Sequence, residues 1–236
     1  MSQPERKLSS LEKINRFFKN PALPYEFNDR LAELSTLYVL RRDASKCYGI
    51  NPESPDDPEI TSHMALFPGA MTVFCGIDLL AKFYRGDSNG EVAKRFKEYV
   101  KDFFPSASTI VDLPLHLWNL RNCLIHSFGM RDKKKRANGE FTYGIKADLN
   151  GLDTDFVVEL KKNEWYVIDI LTLREEFEAS VSCFEAYIHG SEAASQQCCN
   201  MWDRYGSMTF SGLMLSTDEF GNSSFLYPGY SMLWAL

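Results

Sequence analysis

The chain has 236 residues, 44% hydrophobic, 14% aromatic and 25% charged, the proportions of a globular protein with material for one large domain or two small ones. That balance excludes a disordered chain, a collagen or a coiled coil. Lys and Arg number 26 against 32 Asp and Glu, a formal charge of −6, so the chain as a whole is not drawn onto nucleic acid and any phosphate binding has to be local.

The six cysteines (Cys47, Cys75, Cys123, Cys183, Cys198, Cys199) form no CxxC pair, and the four histidines (His63, His116, His126, His189) lack metal-ligand spacing. Neither a metal nor another cofactor is therefore expected. The opening MSQPERKLSS has no apolar core of the signal-peptide kind, so reduced thiols in a cytoplasmic protein are the expectation. The uncharged run from Met64 to Ile77 is short for a bilayer and contains Pro68, which points to a buried helix and no membrane partner.

In chain order, Leu8 to Phe18 places Leu11, Ile14, Phe17 and Phe18 on one helical stripe. Asn28 to Cys47 repeats Leu31, Leu34, Leu37 and Leu40 about one turn apart, with Asn28 as N-cap. Residues 1–50 are thus expected as an N-terminal helical arm, set off by the proline-rich, acidic surface loop 51–60. Helices follow at Pro68 to Tyr84, with Gly69 and Gly76 as close-packing positions, at Gly90 to Phe104, and at Asp112 to Phe128, where Asp112 is the N-cap and Pro114 lies in the first turn. Glu140 to Lys146, Asp155 to Lys161 and Glu164 to Ile170 are short β-type runs separated by Asn150-Gly151 and Lys162-Asn163, which predicts a small antiparallel meander within 139–170. Helical spacing returns from Leu171 to Ile188. The last 45 residues carry five charged groups and eight aromatics, so 191–236 is expected to pack on the helices or to cover a partner.

The stretch with chemistry in it is the Asp112 to Phe128 helix. Leu113, Leu117, Leu120 and Leu124 form its core stripe, while Asn122 and His126, one turn apart, lie on the far side with Leu115 and Asn119. Arg121 sits between the two faces, roughly 140° of arc from His126. It either reaches round to share a site with the imidazole or pairs with an acid such as Asp78 or Asp112. Shortly after this helix come Arg131, Lys133, Lys134, Lys135 and Arg136, a local basic run suited to an RNA backbone. His116 projects at a third angle and reads as a packing or surface residue.

Arg121, Asn122 and His126 form an Arg-Asn-x3-His pattern on a helix that follows a long helix pair, and this resembles the signature of the HEPN superfamily. In a chain of this composition the pattern arises by chance about 0.01 times. The resemblance covers residues 62–190 and implies a mainly α, HEPN-like helical bundle with the β-meander inserted after the motif helix. It further implies a homodimer paired through that helix and, in active members, metal-independent RNA cleavage in a toxin or phage-defence setting, with an antitoxin or other partner protein. Catalytic roles for Arg121, Asn122 and His126 come with it. The residue types suit the reaction: an imidazole with a pKa near 6.5 moves the 2′-hydroxyl proton, and a guanidinium meets the charge gathering on the phosphate. One His supplies one proton-transfer group, so two protomers are required. Two alternatives stand beside this: a non-catalytic HEPN-like dimerisation module, and an α+β binding protein that uses its aromatic C-terminal region.

Overall fold

The computed structural model describes residues 8–21, 33–50, 64–86, 90–127, 142–147, 155–162, 164–209, 214–217 and 223–226. The described chain is mostly helical. In order it runs α1 (Ser10–Phe17), β1 (Glu33–Ser35), α2 (Thr36–Cys47), α3 (Leu66–Arg85), α4 (Val92–Phe103), α5 (Leu113–Ser127), β2 (Thr142–Lys146), β3 (Val157–Lys161), β4 (Trp165–Asp169), α6 (Ile170–His189), α7 (Glu192–Met201), β5 (Ser207–Thr209), β6 (Met214–Thr217) and β7 (Ser223–Leu226).

Side-chain caps set several helix starts. At α1, Ser9 Oγ accepts from the Glu12 amide at 3.3 Å and Glu12 Oε2 accepts from the Ser9 amide at 2.8 Å, a reciprocal box that satisfies two donors the first turn leaves unpaired. At α2, Ser35 Oγ accepts from the Tyr38 amide at 3.2 Å and donates to the Phe17 carbonyl at 3.0 Å. The second bond ties α1 to α2. This helix starts at Thr36, later than its leucine spacing implied, and Leu34 belongs instead to β1, which pairs antiparallel with β5. Asn28 and Leu31 lie outside the described residues, as does the loop 51–60. Asp169 Oδ1 caps α6 by accepting from the Thr172 amide at 2.9 Å, so β4 passes straight into that helix.

Helix α3 is the centre of the packing. By length and composition it could cross a membrane, yet Ala70, Val73, Phe74, Ile77, Leu80 and Phe83 are all buried in the core. Its glycines let neighbours in: a Cβ at Gly69 would lie 2.9 Å from the ring of Tyr48, the C-cap of α2, and one at Gly76 would lie 2.5 Å from Phe177 Cζ of α6. Rings complete the core. Phe17 of α1 stacks on Phe83 at 4.1 Å, Phe96 of α4 meets Trp118 of α5 at 5.4 Å, and Tyr99 meets Phe184 at 5.6 Å. Ile14, Phe17 and Leu37 share one buried cluster with Cys198, Cys199, Met201 and Trp202. The described parts of residues 1–50 and 191–206 are therefore built into the same core as the central helices, not set off from it.

The three-stranded sheet departs from the expected meander. Its order is β2-β4-β3, with β2 parallel to β4 and β3 antiparallel to it. Burial explains the order. Tyr166 and Ile168 of β4 are buried, while Glu159, Leu160 and Lys161 of β3 are exposed, so the more apolar strand takes the middle. The roughly ten residues between β2 and β3 easily span the ~10 Å needed to pass one strand.

Gly76→Ala should destabilise the fold by about 1–3 kcal/mol, because the buried Phe177 ring would have to shift within the core. Urea unfolding monitored by circular dichroism measures this, and an unchanged midpoint would contradict the packing described for α3.

Candidate functional site

Helix α5 is held on two flanks and presents a third outward. Leu113, Leu117, Leu120 and Leu124 are buried as the stripe requires. Asp112 sits at the N-cap position, its carbonyl accepting from the Leu115 and His116 amides at 2.8 and 3.0 Å. Its φ is 59°, a left-handed turn where an extended N-cap was expected; Asp tolerates this better than most residues.

On one flank Arg121 reaches α3. Its Nη2 and Nε donate to Asp78 Oδ2 at 2.7 and 3.2 Å, and its Nη1 donates to Asn122 Oδ1 at 3.1 Å. The guanidinium also lies over the Trp118 ring, 5.1 Å from its centroid. Only 14% of the Arg121 side chain and 16% of the Asp78 side chain are exposed. Of the two acids the sequence offered, Arg121 therefore takes Asp78. One carboxylate oxygen receives both bonds, while Asp78 Oδ1 is buried with no hydrogen-bond partner among the described residues, an uncompensated desolvation that makes the pair costly to build and more costly to break.

On the opposite flank α5 meets the sheet. Asn119, expected on the outward face, is instead buried and donates through Nδ2 to Tyr143 Oη of β2 at 3.0 Å. His116 Nδ1 lies 3.4 Å from the same hydroxyl, and its ring packs on Tyr166 of β4 at 4.2 Å between centroids. Tyr166 Oη in turn donates to Glu159 Oε1 of β3 at 3.2 Å. Burial holds the His116 imidazole below its ordinary pKa of 6.5, against the smaller opposing pull of Asp112 and Glu159. This buried polar chain was not read from the sequence. The signal was there, His116 and Asn119 three residues apart on one flank, but nothing in it named the strand that would cover them.

Between these flanks the outward strip of α5 carries Leu115 and Asn122, both half-buried. Arg121 and Asn122 are thus brought together. His126 falls one turn beyond Asn122 in the last turn of the helix; its side chain lies outside the described residues, and so does the run Arg131, Lys133, Lys134, Lys135 and Arg136. Among the described residues no group of three or more His, Cys, Asp or Glu is placed to hold a metal ion. No protein-family model, curated protein or solved structure matches this chain.

Two outcomes follow from this geometry. Asp78→Leu and Arg121→Met should each cost about 3 kcal/mol by stranding a mostly buried charge, while the double variant Asp78→Leu/Arg121→Met should recover much of that loss; chemical denaturation of the four proteins completes the cycle. The second concerns pH. An imidazole kept neutral in the fold but protonated near 6.5 when unfolded contributes stability that is intact above that pH and is lost as the pH falls toward the lower folded-state value. The melting temperature should therefore drop between pH 7 and 5, and His116→Phe should flatten that part of the profile. An equal slope in both proteins would remove His116 as its source.

Proposed function

We propose that the protein is a metal-independent endoribonuclease of the HEPN kind, acting as a homodimer in which the outward strips of two α5 helices form one site. The observation that supports this is the join between Arg121 and Asn122. The guanidinium, braced by Asp78 and Trp118, turns Nη1 to the Asn122 amide oxygen at 3.1 Å, which fixes a cationic donor at the edge of the strip that carries His126 one turn on. Such a donor is placed for a phosphoryl oxygen as charge builds there. His126 removes the proton from a ribose 2′-hydroxyl, the 2′-oxygen attacks the adjacent phosphorus, and the 5′-oxygen leaves with a proton from the second protomer's imidazole. The products carry a 2′,3′-cyclic phosphate and a 5′-hydroxyl. An antitoxin or similar partner protein would cover the same strip.

A second reading has an observation of its own. The Asp78 carboxylate already neutralises Arg121, and a guanidinium so paired suits a non-catalytic dimerisation module of the same shape. One experiment separates the two. A mixed RNA is incubated in EDTA with wild type, His126→Ala and Arg121→Lys, the last chosen because it keeps the charge beside Asp78. Catalysis predicts cleavage by wild type and a fall of about 10²-fold or more with His126→Ala. Intact RNA with wild type, or equal cleavage by His126→Ala, assigns the interaction role instead.

A further inference from the structure

Helix α4 runs beside α5, joined to it through Phe96 and Trp118 at 5.4 Å. At 100° per residue its bases Lys94, Lys97 and Lys101 fall to one side of its acids, with Glu98 about 40° from Lys94. Glu98 and Asp102 lie on the flank toward α3, where Glu98 Oε2 is 3.3 Å from Arg85 Nη1 and Asp102 Oδ2 accepts from Tyr84 Oη at 2.8 Å. Lys94, Lys97 and Lys101 fall within roughly 60° of one another, between that flank and the one bearing Phe96 and Val100. Lys94 and Lys101 are exposed and Lys97 is half-buried. Among the described residues none of the three is held by an ion pair, in contrast to Arg85, Arg41 and Arg121. At the start of this ridge a cavity of about 310 Å³ is lined by Arg85, Gly90, Glu91, Lys94 and Arg95. Arg95 is 6% exposed and donates through Nη1 to the Gly90 carbonyl at 3.3 Å, so its guanidinium is part of the cavity wall. Among the described residues three cations and one acid line the cavity, with Arg85 already paired to Glu98, and Lys94 belongs to both features.

We propose that this cavity and the Lys94-Lys97-Lys101 ridge form a track for the phosphates of single-stranded RNA, leading the strand along α4 to the α5 strip. The inference rests on the endoribonuclease reading and supplies the substrate contact that reading lacks within the described residues. Length and position carry it. Lys94 to Lys101 rises about 10 Å along the helix, the axial rise of about three stacked nucleotides. The ridge also borders the helix that bears Arg121, in a chain whose net charge of −6 would otherwise repel a polyanion. Cations spaced along a helix and unengaged by protein acids give affinity through counterion release, without sequence choice.

The test is binding of a fluorescein-labelled 2′-O-methyl 20-mer, which cannot undergo 2′-hydroxyl attack, followed by anisotropy from 50 to 200 mM salt. The variant Lys94→Gln/Lys97→Gln/Lys101→Gln should bind about ten-fold or more weakly at 50 mM salt. The slope of log K against log salt should fall by about 2, and each single substitution should remove about 0.7. Lys46→Gln/Lys161→Gln/Lys162→Gln, with the same change in net charge elsewhere on the surface, should bind as wild type does. The track is overturned if wild type fails to bind at 50 mM salt, if the ridge variant keeps wild-type affinity and slope, if the control variant loses as much, or if polyglutamate displaces the RNA as well as unlabelled RNA does, which would point to an acidic protein partner. Failure of the cleavage reading shows separately: ordinary RNA then stays intact in EDTA while the ridge-dependent salt slope persists.

Discussion

Asp78 is the one acid on α3, the helix around which the other described helices pack, and its side chain is only 16% exposed. A carboxylate placed there costs several kcal/mol of lost hydration unless a cation is brought to it. Arg121 is that cation, and the requirement sets the rotation of α5. With Arg121 turned to α3 and the leucine stripe turned to the core, His116 and Asn119 must face the sheet, where the Tyr143 hydroxyl accepts from Asn119 at 3.0 Å. Asn122 is left facing outward. The composition of each flank of α5 thus follows from one buried ion pair, and the strip that remains is the strip the motif occupies.

The same logic explains which parts of the fold were legible in the sequence. Helical period survives packing, so Leu113, Leu117, Leu120 and Leu124 could be assigned to the core from spacing alone, and Gly69 and Gly76 marked close approaches before the rings of Tyr48 and Phe177 were known to fill them. The start of α2 was not legible from its leucines. A spacing of three fits a helix, but Leu34 is claimed by pairing with β5, and only the Ser35 hydroxyl marks the true N-terminus. Strand positions were readable and their order was not, because Asn150-Gly151 reports a local reversal and says nothing about which strand lies alongside. That choice is made by burial, with Tyr166 and Ile168 taking the centre. For the site, Asp78 was one of two acids the sequence offered to Arg121. Asp112 is excluded by spacing, since nine residues along one helix put it about 13 Å from Arg121, whereas the approach of α3 that brings Asp78 within reach is a fact of tertiary position.

Charge is arranged on the same scheme. Acids that could quench the surface bases of α4 are drawn to α3, Glu98 by Arg85 and Asp102 by the Tyr84 hydroxyl. Glu178 of α6 is likewise taken up by Arg41 of α2 at 2.5 Å. Beside these acids, the solvent side of α4 carries Lys94, Lys97 and Lys101. A net charge of −6 coexists with this lysine ridge because the acids of α4 lie to one side of it, Glu98 paired with Arg85.

Under the proposed reaction Arg121 would serve both framework and chemistry, and its fork geometry divides the two. A guanidinium has five N–H donors in one plane. Nε and Nη2 are turned inward to Asp78, and Nη1 is turned outward to Asn122. The inward edge meets the structural requirement and does not need to move. A phosphate approaching the outward strip would meet the Nη1 edge and exchange with the Asn122 amide oxygen, leaving the Asp78 contact intact. Asp78 lowers the net charge that such a phosphate feels, but it also holds the guanidinium in place, so little ordering entropy is lost as the new bond forms. Lysine in the same position would offer a point charge that Asp78 could absorb whole. A planar fork divides its donors between the two partners, and so one residue can carry a buried structural bond on one edge and present a donor to the solvent strip on the other.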